Sequence, residues 1–315
     1  MPHMANTQTN DFSKGSVAGN ILRLALPMTV AQLINVLYSV VDRMYIGRLP
    51  DAAGNALTGL GLTFPILSIV TAFANLFGMG GSPLFSIQRG KGDRDRAQVI
   101  LGNTFALLVG TGVALTVVLL VLKRPLLYAF GASDATYPYA DGYLTIYLLG
   151  SVFVMISLGM NQFINAQGFG RTGMLTVLIG AVTNILLDPV FIFVLGMGVQ
   201  GAALATILSQ FLSAVWAVSF LRGKKALIRL EWGSMRLQPK LVWQIVSLGF
   251  SSFVMAITNS IVQVACNSTL QSFGGDLYVG VMTIINSVRE VVSTPINGVT
   301  SAAQPVMGFN YGAQE

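Results

Sequence analysis

Apolar residues fill this chain in long runs separated by short polar clusters. The stretches 97–122, 142–170 and 241–275 contain no Asp, Glu, Lys or Arg at all. A helix needs about 20 predominantly apolar residues to cross the hydrocarbon layer of a bilayer. Taking the turn-forming clusters as breaks, the pattern predicts eight helices, at 21–46, 57–86, 98–122, 138–165, 172–195, 200–221, 241–272 and 278–305. The breaks RLPDAAGN, RGKGDRDR, GASDATYP, QGFGRTG, GMGVQG and SFGGD are rich in Gly, Pro, Asp or Asn, which favour turns. Only 222–240 forms a long, basic connection. The expected fold class is an all-α polytopic membrane protein.

Composition agrees. Hydrophobic residues make up 53% of the 315 residues and charged residues 10%, where a soluble domain carries about a quarter; mean hydropathy is +0.69. The single cysteine, Cys266, leaves no internal disulfide framework, and the single histidine, His3, lies in a polar tail, so zinc and histidine chemistry have no raw material. That tail, 1–20, is too polar for a secretory signal, and the first apolar run is expected to stay as a membrane span. With the N-terminus placed in the cytoplasm, thirteen Lys and Arg fall on the cytoplasmic side. Only Arg43, Arg48, Lys123 and Arg124 fall on the other, and Arg289 lies inside a helix. Because Lys and Arg in short loops resist translocation, this asymmetry orients the bundle. The +6 net charge is therefore a topology signal, and nucleic acid is not an expected partner.

The chain also repeats. Asn35 falls 224 residues before Asn259, and Asn75, Pro83 and Gly90 fall 222 residues before Asn297, Pro305 and Gly312, with order, hydropathy and spacing in agreement. Six helices per copy give both copies one orientation, as in parallel repeats related by an axis along the membrane normal. The expected division is a tail (1–20), a six-helix first lobe (21–222), a basic cytoplasmic linker (223–240) and the first two helices of a second lobe (241–315). By this repeat a complete protein would run to about 440 residues.

Asp188 stands out within TVLIGAVTNILLDPVFIFVLG, because an ionisable group at membrane depth is expensive and marks an ion or proton path. Asn184 lies one turn earlier on the same face. Pro189 has no N–H, so the carbonyl of Ile185 loses its helical partner and is free to face a cavity. Thr206 on the next helix adds a hydroxyl. Oxygen donors around one carboxylate suit a hard cation, which makes Asp188, Asn184 and Thr206 a candidate Na+ site; burial of a carboxyl near a second one suits a proton equally. On the first helix Gln32, Asn35, Tyr38, Ser39 and Asp42 recur at helical spacing, a polar stripe that must face protein or water. Asp42 has the alternative of pairing with Arg43 at the helix end, and Asp188 that of a buried acid tying two helices together. Tyr143, with other aromatics and the methionines, suits a pliable cavity or ordinary packing. Arg289 and Glu290, as neighbours on a helix, point about 100° apart and each needs its own partner. Pro27 weakens the first helix near its start.

The segments LPMTVAQLINVLYSVVDRMYIGRL, NILLDPVFIFVLGMGVQGAALAT and QPVMGFNYGA resemble the multidrug and toxic compound extrusion (MATE) transporters, in their prokaryotic branch. The resemblance runs from about Ile21 to the end of the chain, without the family's last four helices. It implies two six-helix lobes around a central cavity, and export of amphipathic, often cationic drugs in antiport with Na+ or H+. The implied protein is a multi-pass monomer of the prokaryotic inner (plasma) membrane, in contact with lipid and without a cofactor. It also implies coupling-ion roles for Asp42, Asn184, Asp188 and Thr206 with Asn161 in the surrounding network, a substrate contact at Glu290, and a bend at Pro27 on ion binding. Two other classes are weighed against it. A flippase of lipid-linked precursors would be expected to carry a more basic cavity, and an intramembrane aspartyl protease lacks its G-x-G-D setting.

Overall fold

The computed structural model describes residues 12–314 except Lys14, Gly47 and 49–52, and the backbone alone at Arg43, 53–55 and much of 260–291. It is built of helices α1 (Val17–Ile46), α2 (Ala53–Gly90), α3 (Arg94–Ala129), α4 (Tyr137–Leu149), α5 (Ser151–Ala166), α6 (Gly170–Pro189), α7 (Gly198–Arg222) and α8 (Pro239–Ala313), with no strand among the described residues. Among the described residues, six of the helices have stretches long and apolar enough to cross a membrane, and the bent pair α4–α5, taken as one span, makes a seventh.

The ends of the elements follow from local chemistry. Asp93 caps α3, its Oδ1 accepting from the N–H of Arg96 at 2.9 Å, the anionic cap that an N-terminal helix dipole favours. The charge-free part of α3, 97–122, is about 39 Å long at 1.5 Å per residue, enough for a bilayer with some tilt. The sequence predicts one helix over 138–165; the structure breaks it at Gly150 and bends it by 55°. A Cβ at Gly150 would run into the side chain of Ile207, so the bend brings the backbone against α7. After Pro189 the helix changes register to a π turn over Val190–Val194, with Leu195 donating to the carbonyl of Val190 at 2.9 Å. Proline removes the α-type donor, and such turns gather at functional sites.

SFGGD, predicted as a break, is helical throughout, and α8 runs on through it for 75 residues. It cannot be straight. Gly249 packs against the backbone of Leu76, and Gly312 against that of Ile87. A straight helix would hold those glycines about 95 Å apart, whereas the two points on α2 are about 16 Å apart. The helical path therefore doubles back between them, and both its arms pack on α2.

Phe85 and Phe163, fully buried, meet edge-to-face at 5.3 Å and 78° and tie α2 to α5. Around them Leu101, Leu108, Met155 and Met160 complete an interior shared with α3. Large apolar side chains also cover the outside: Val121 is 73% exposed, Leu26 71% and Leu186 64%. In water such a surface is an aggregation hazard; in lipid it is the solvated face, and helix association rests on close packing.

The basic connection is a strap laid on the bundle. In Ala226–Leu230 buried and exposed residues alternate, with Ala226, Ile228 and Leu230 inward, the period of an extended chain. Leu230 donates to the carbonyl of Leu221 at 2.9 Å, and Arg222 lies 5.0 Å over the Trp232 ring.

Candidate functional site

Helices α1, α2, α4, α5, α6 and α7 surround a cavity of about 350 Å³. Its polar wall carries Asn35, Tyr38, Ser39 and Asp42 from α1, Tyr143 and Tyr147 from α4, and Thr206 and Gln210 from α7. Tyr143 and Tyr147 stack at 6.2 Å and 15°. The Ser39 hydroxyl donates to the carbonyl of Asn35 at 2.9 Å, satisfying itself within the helix.

Asp188, fully buried, and Asn184, 2% exposed, stand behind that wall. One amide joins the group: Asn184 Nδ2 donates to Asp188 Oδ1 at 3.3 Å and to Thr206 Oγ1 at 3.4 Å. The Asp42 carboxyl lies within interaction range of Asp188. Two carboxyls in a low-dielectric place repel when both are ionised, and a cation or a proton between them relieves the repulsion. Asp188 Oδ2 and Asn184 Oδ1 are buried without a hydrogen-bond donor. An acceptor left so costs about 1–3 kcal/mol, and oxygens are the donor set of a hard cation. Among the described residues no cluster of three or more His, Cys, Asp or Glu exists, so any cation here would be held by mixed carboxyl, amide and hydroxyl oxygens.

The sequence-derived candidates thus divide. Asp42, Asn35, Tyr38, Tyr143 and Thr206 share the cavity wall, with Asn184 and Asp188 immediately behind. Asn161 lies on α5 one turn beyond Ser157, which lines the cavity. Gln32 is not on this wall, and Arg289 is exposed elsewhere. The side chains of Glu290 and Arg43 lie outside the described residues. Pro27 lines a second cavity of about 540 Å³ between α1 and the start of α6, with Arg23 and Arg171 at its edge.

Three residues that sequence reasoning passed over join distant segments at the basic end of the bundle. Gln167, fully buried, holds the strap like a strand partner: its Oε1 accepts from the N–H of Leu227 at 2.8 Å and of Ile228 at 3.0 Å, and its Nε2 donates to the carbonyl of Ile228 at 3.1 Å. Asn103, also fully buried, donates to the carbonyls of Ser234 and Arg236, both at 3.1 Å, and accepts from the N–H of Gln238 at 2.8 Å. Arg89 donates to the carbonyl of Ala166 at 2.8 Å and lies 5.0 Å from the rings of both Phe12 and Phe309. Asn103 carried the signal that marked Asp188, a polar side chain within an apolar run; Gln167 was hidden in a turn cluster.

Residues 27–190 match the family model described as MatE. The multidrug export protein MepA of Staphylococcus saprophyticus is 25% identical over 312 residues, 98% of this chain and 68% of that protein. An outward-facing structure of a multidrug resistance MATE family transporter of the MOP superfamily superposes with a TM-score of 0.90 at 26% identity, covering 98% of this chain and 68% of the other. A MOP superfamily transporter from Pyrococcus furiosus, described by the reverse polarity of its binding pocket as suggesting a different function, matches with the same score, identity and coverage.

Proposed function

The chain belongs to the MatE family, whose members are transporters and not enzymes, and on that premise we propose that it exports drugs from a bacterial cell by antiport with Na+ or H+. Multidrug export is the activity named for its MepA relatives. The ion coupling is carried by one observation: a fully buried carboxyl, Asp188, joined through Asn184 to Thr206 on the cavity wall and faced by Asp42. A cation or proton bound there would neutralise the carboxyl pair directly behind the wall that a substrate would touch. Release of that charge to the other side would then change the wall's electrostatics and favour the opposite opening. Amphipathic, cationic substrates suit a wall that combines Tyr38, Tyr143 and Phe64 with Asp42.

In this scheme 21–222 forms the first lobe, 223–240 the linker and 241–315 the beginning of a second lobe. The N-terminus lies in the cytoplasm of a plasma-membrane protein, on the charge asymmetry of the loops. The protein works as a monomer. A flippase for lipid-linked precursors is the second reading, and the Pyrococcus furiosus relative, whose reverse-polarity pocket is described as suggesting a different function, keeps a reading other than drug export in view. Among the described residues the polar wall carries Asp42 and no Lys or Arg, which favours cations. Reconstituted vesicles with Na+ and pH gradients imposed independently test the proposal. Efflux of a cationic dye should follow one gradient and disappear in Asp188→Asn; dye movement unaffected by both gradients would overturn it.

A further inference from the structure

Three helical stripes run from the floor of the 350 Å³ cavity towards the basic end of the bundle. On α7, Gln210 and Ser213 follow Thr206 down the wall, and on α6 Gly180 and Val177 follow Asn184. On α5, Asn161 and Asn165 continue from Ser157 by one and two turns. The stripes meet again lower down: the Ser213 hydroxyl donates to the carbonyl of Thr176 at 2.9 Å. A Cβ at Gly173 would overlap Oδ1 of Asn165 and stand 3.1 Å from Oδ1 of Asn161, so both amide oxygens face one point on the α6 backbone.

Along this column five buried acceptors lack a donor: Asp188 Oδ2, Asn184 Oδ1, Gln210 Oε1, Asn161 Oδ1 and Asn165 Oδ1. Asn165 is 5% exposed and Asn184 2%. A buried acceptor with no partner is costly, and polar sites of this kind are where internal water resides. All five are oxygens carried by three neighbouring helices: Asn184 and Asp188 by α6, Gln210 by α7, and Asn161 and Asn165 by α5. Beyond Asn165, whose carbonyl accepts from the N–H of Gly168 at 2.9 Å, the Gly168–Thr172 segment lines the second cavity, of about 540 Å³.

We propose that this column is a file of water molecules through the first bundle, along which the coupling cation or proton passes between the Asp188 site and the cytoplasmic end. Asn161 and Asn165 form its narrowest station. Amide oxygens neither take up nor release protons at neutral pH. They orient water and solvate a monovalent cation, so the file serves either ion. Gly173 leaves the space that the two amide oxygens occupy, and a side chain there would displace them. The inference rests on the coupling role proposed for Asp188 for its direction of travel, but not for the presence of water.

Cysteine accessibility tests it. In a Cys266→Ser background, Asn165→Cys and Gln210→Cys should both react with the small cation methanethiosulfonate ethylammonium added at the cytoplasmic face, and Asn165→Cys should resist a bulky maleimide. In parallel, Asn165→Val should slow exchange of ²²Na+ or of protons, the latter read with a trapped pH dye, by tenfold or more. The affinity measured at equilibrium should change less than twofold; a merely structural role would shift affinity and thermal stability together. Where Asn165→Cys fails to fold, Asn161→Cys takes its place. An unreactive cysteine at 165 or 161 beside a reactive one at 210 would end the file at the cavity floor and overturn the proposal. Normal gradient-driven efflux in Asp188→Asn would instead overturn the coupling assignment and leave the water file standing.

Discussion

Replacing Gln167 by Met keeps the length and volume of a fully buried side chain while removing its three hydrogen bonds to the strap. The N–H and carbonyl of Ile228, itself 6% exposed, would then be buried without partners. At about 1–3 kcal/mol for each, the loss is about 2–6 kcal/mol. The N–H of Leu227, on a residue 45% exposed, would turn to water and add little. The cost is relieved when the strap lifts from the bundle, so the population of the lifted state should rise by at least about 25-fold, a tenfold change for each 1.4 kcal/mol. Lys224, Lys225 and Arg229 lie on this segment, and trypsin cleavage in the regime where opening is fast reports that population. The measurement is the initial rate of cleavage at these sites in detergent-solubilised protein, with helical content followed by circular dichroism. A rate within threefold of the unmutated protein, at unchanged helical content, would refute the claim that Gln167 holds the strap. Asn103→Leu, which removes the bonds to Ser234, Arg236 and Gln238, should act on the same segment from its other end.

Asp188→Asn is expected to keep thermal stability close to the original while abolishing gradient-driven efflux, since the amide fits the site but cannot balance a cation; dye efflux and a thermal melt check both halves. Gly249→Val should lower the thermal midpoint by several degrees, because a side chain there enters the Leu76 backbone, whereas Gly61→Val, where nothing lies within 4 Å, should leave it unchanged. Lys123→Met should cost no more than about 1 kcal/mol despite the 2.7 Å Lys123–Asp141 pair and the 2.6 Å bond to Thr145. Both partners of that pair retain exposure to solvent, and chemical denaturation of the reconstituted protein would measure the loss.

The sequence by itself determined the membrane-spanning character and most of the helices, because a bilayer demands about 20 apolar residues at a time and tolerates few charges. The same intolerance made Asp188 and Asn184 visible, since a costly group in an apolar run needs a local reason. Tertiary structure decided what depends on a partner far along the chain. The Gln167 amide finds its strap 61 residues away and Asn103 finds Ser234 131 residues away, and no local pattern encodes either pairing. The bend at Gly150 follows from the approach of Ile207, and the doubling back of α8 from glycines that let it touch α2 twice. The column of oxygens below Asp188 likewise exists only where α5, α6 and α7 pack together. Each of its amides read alone is an ordinary polar residue, and the energetic cost that gives them meaning arises from burial of an acceptor without a donor.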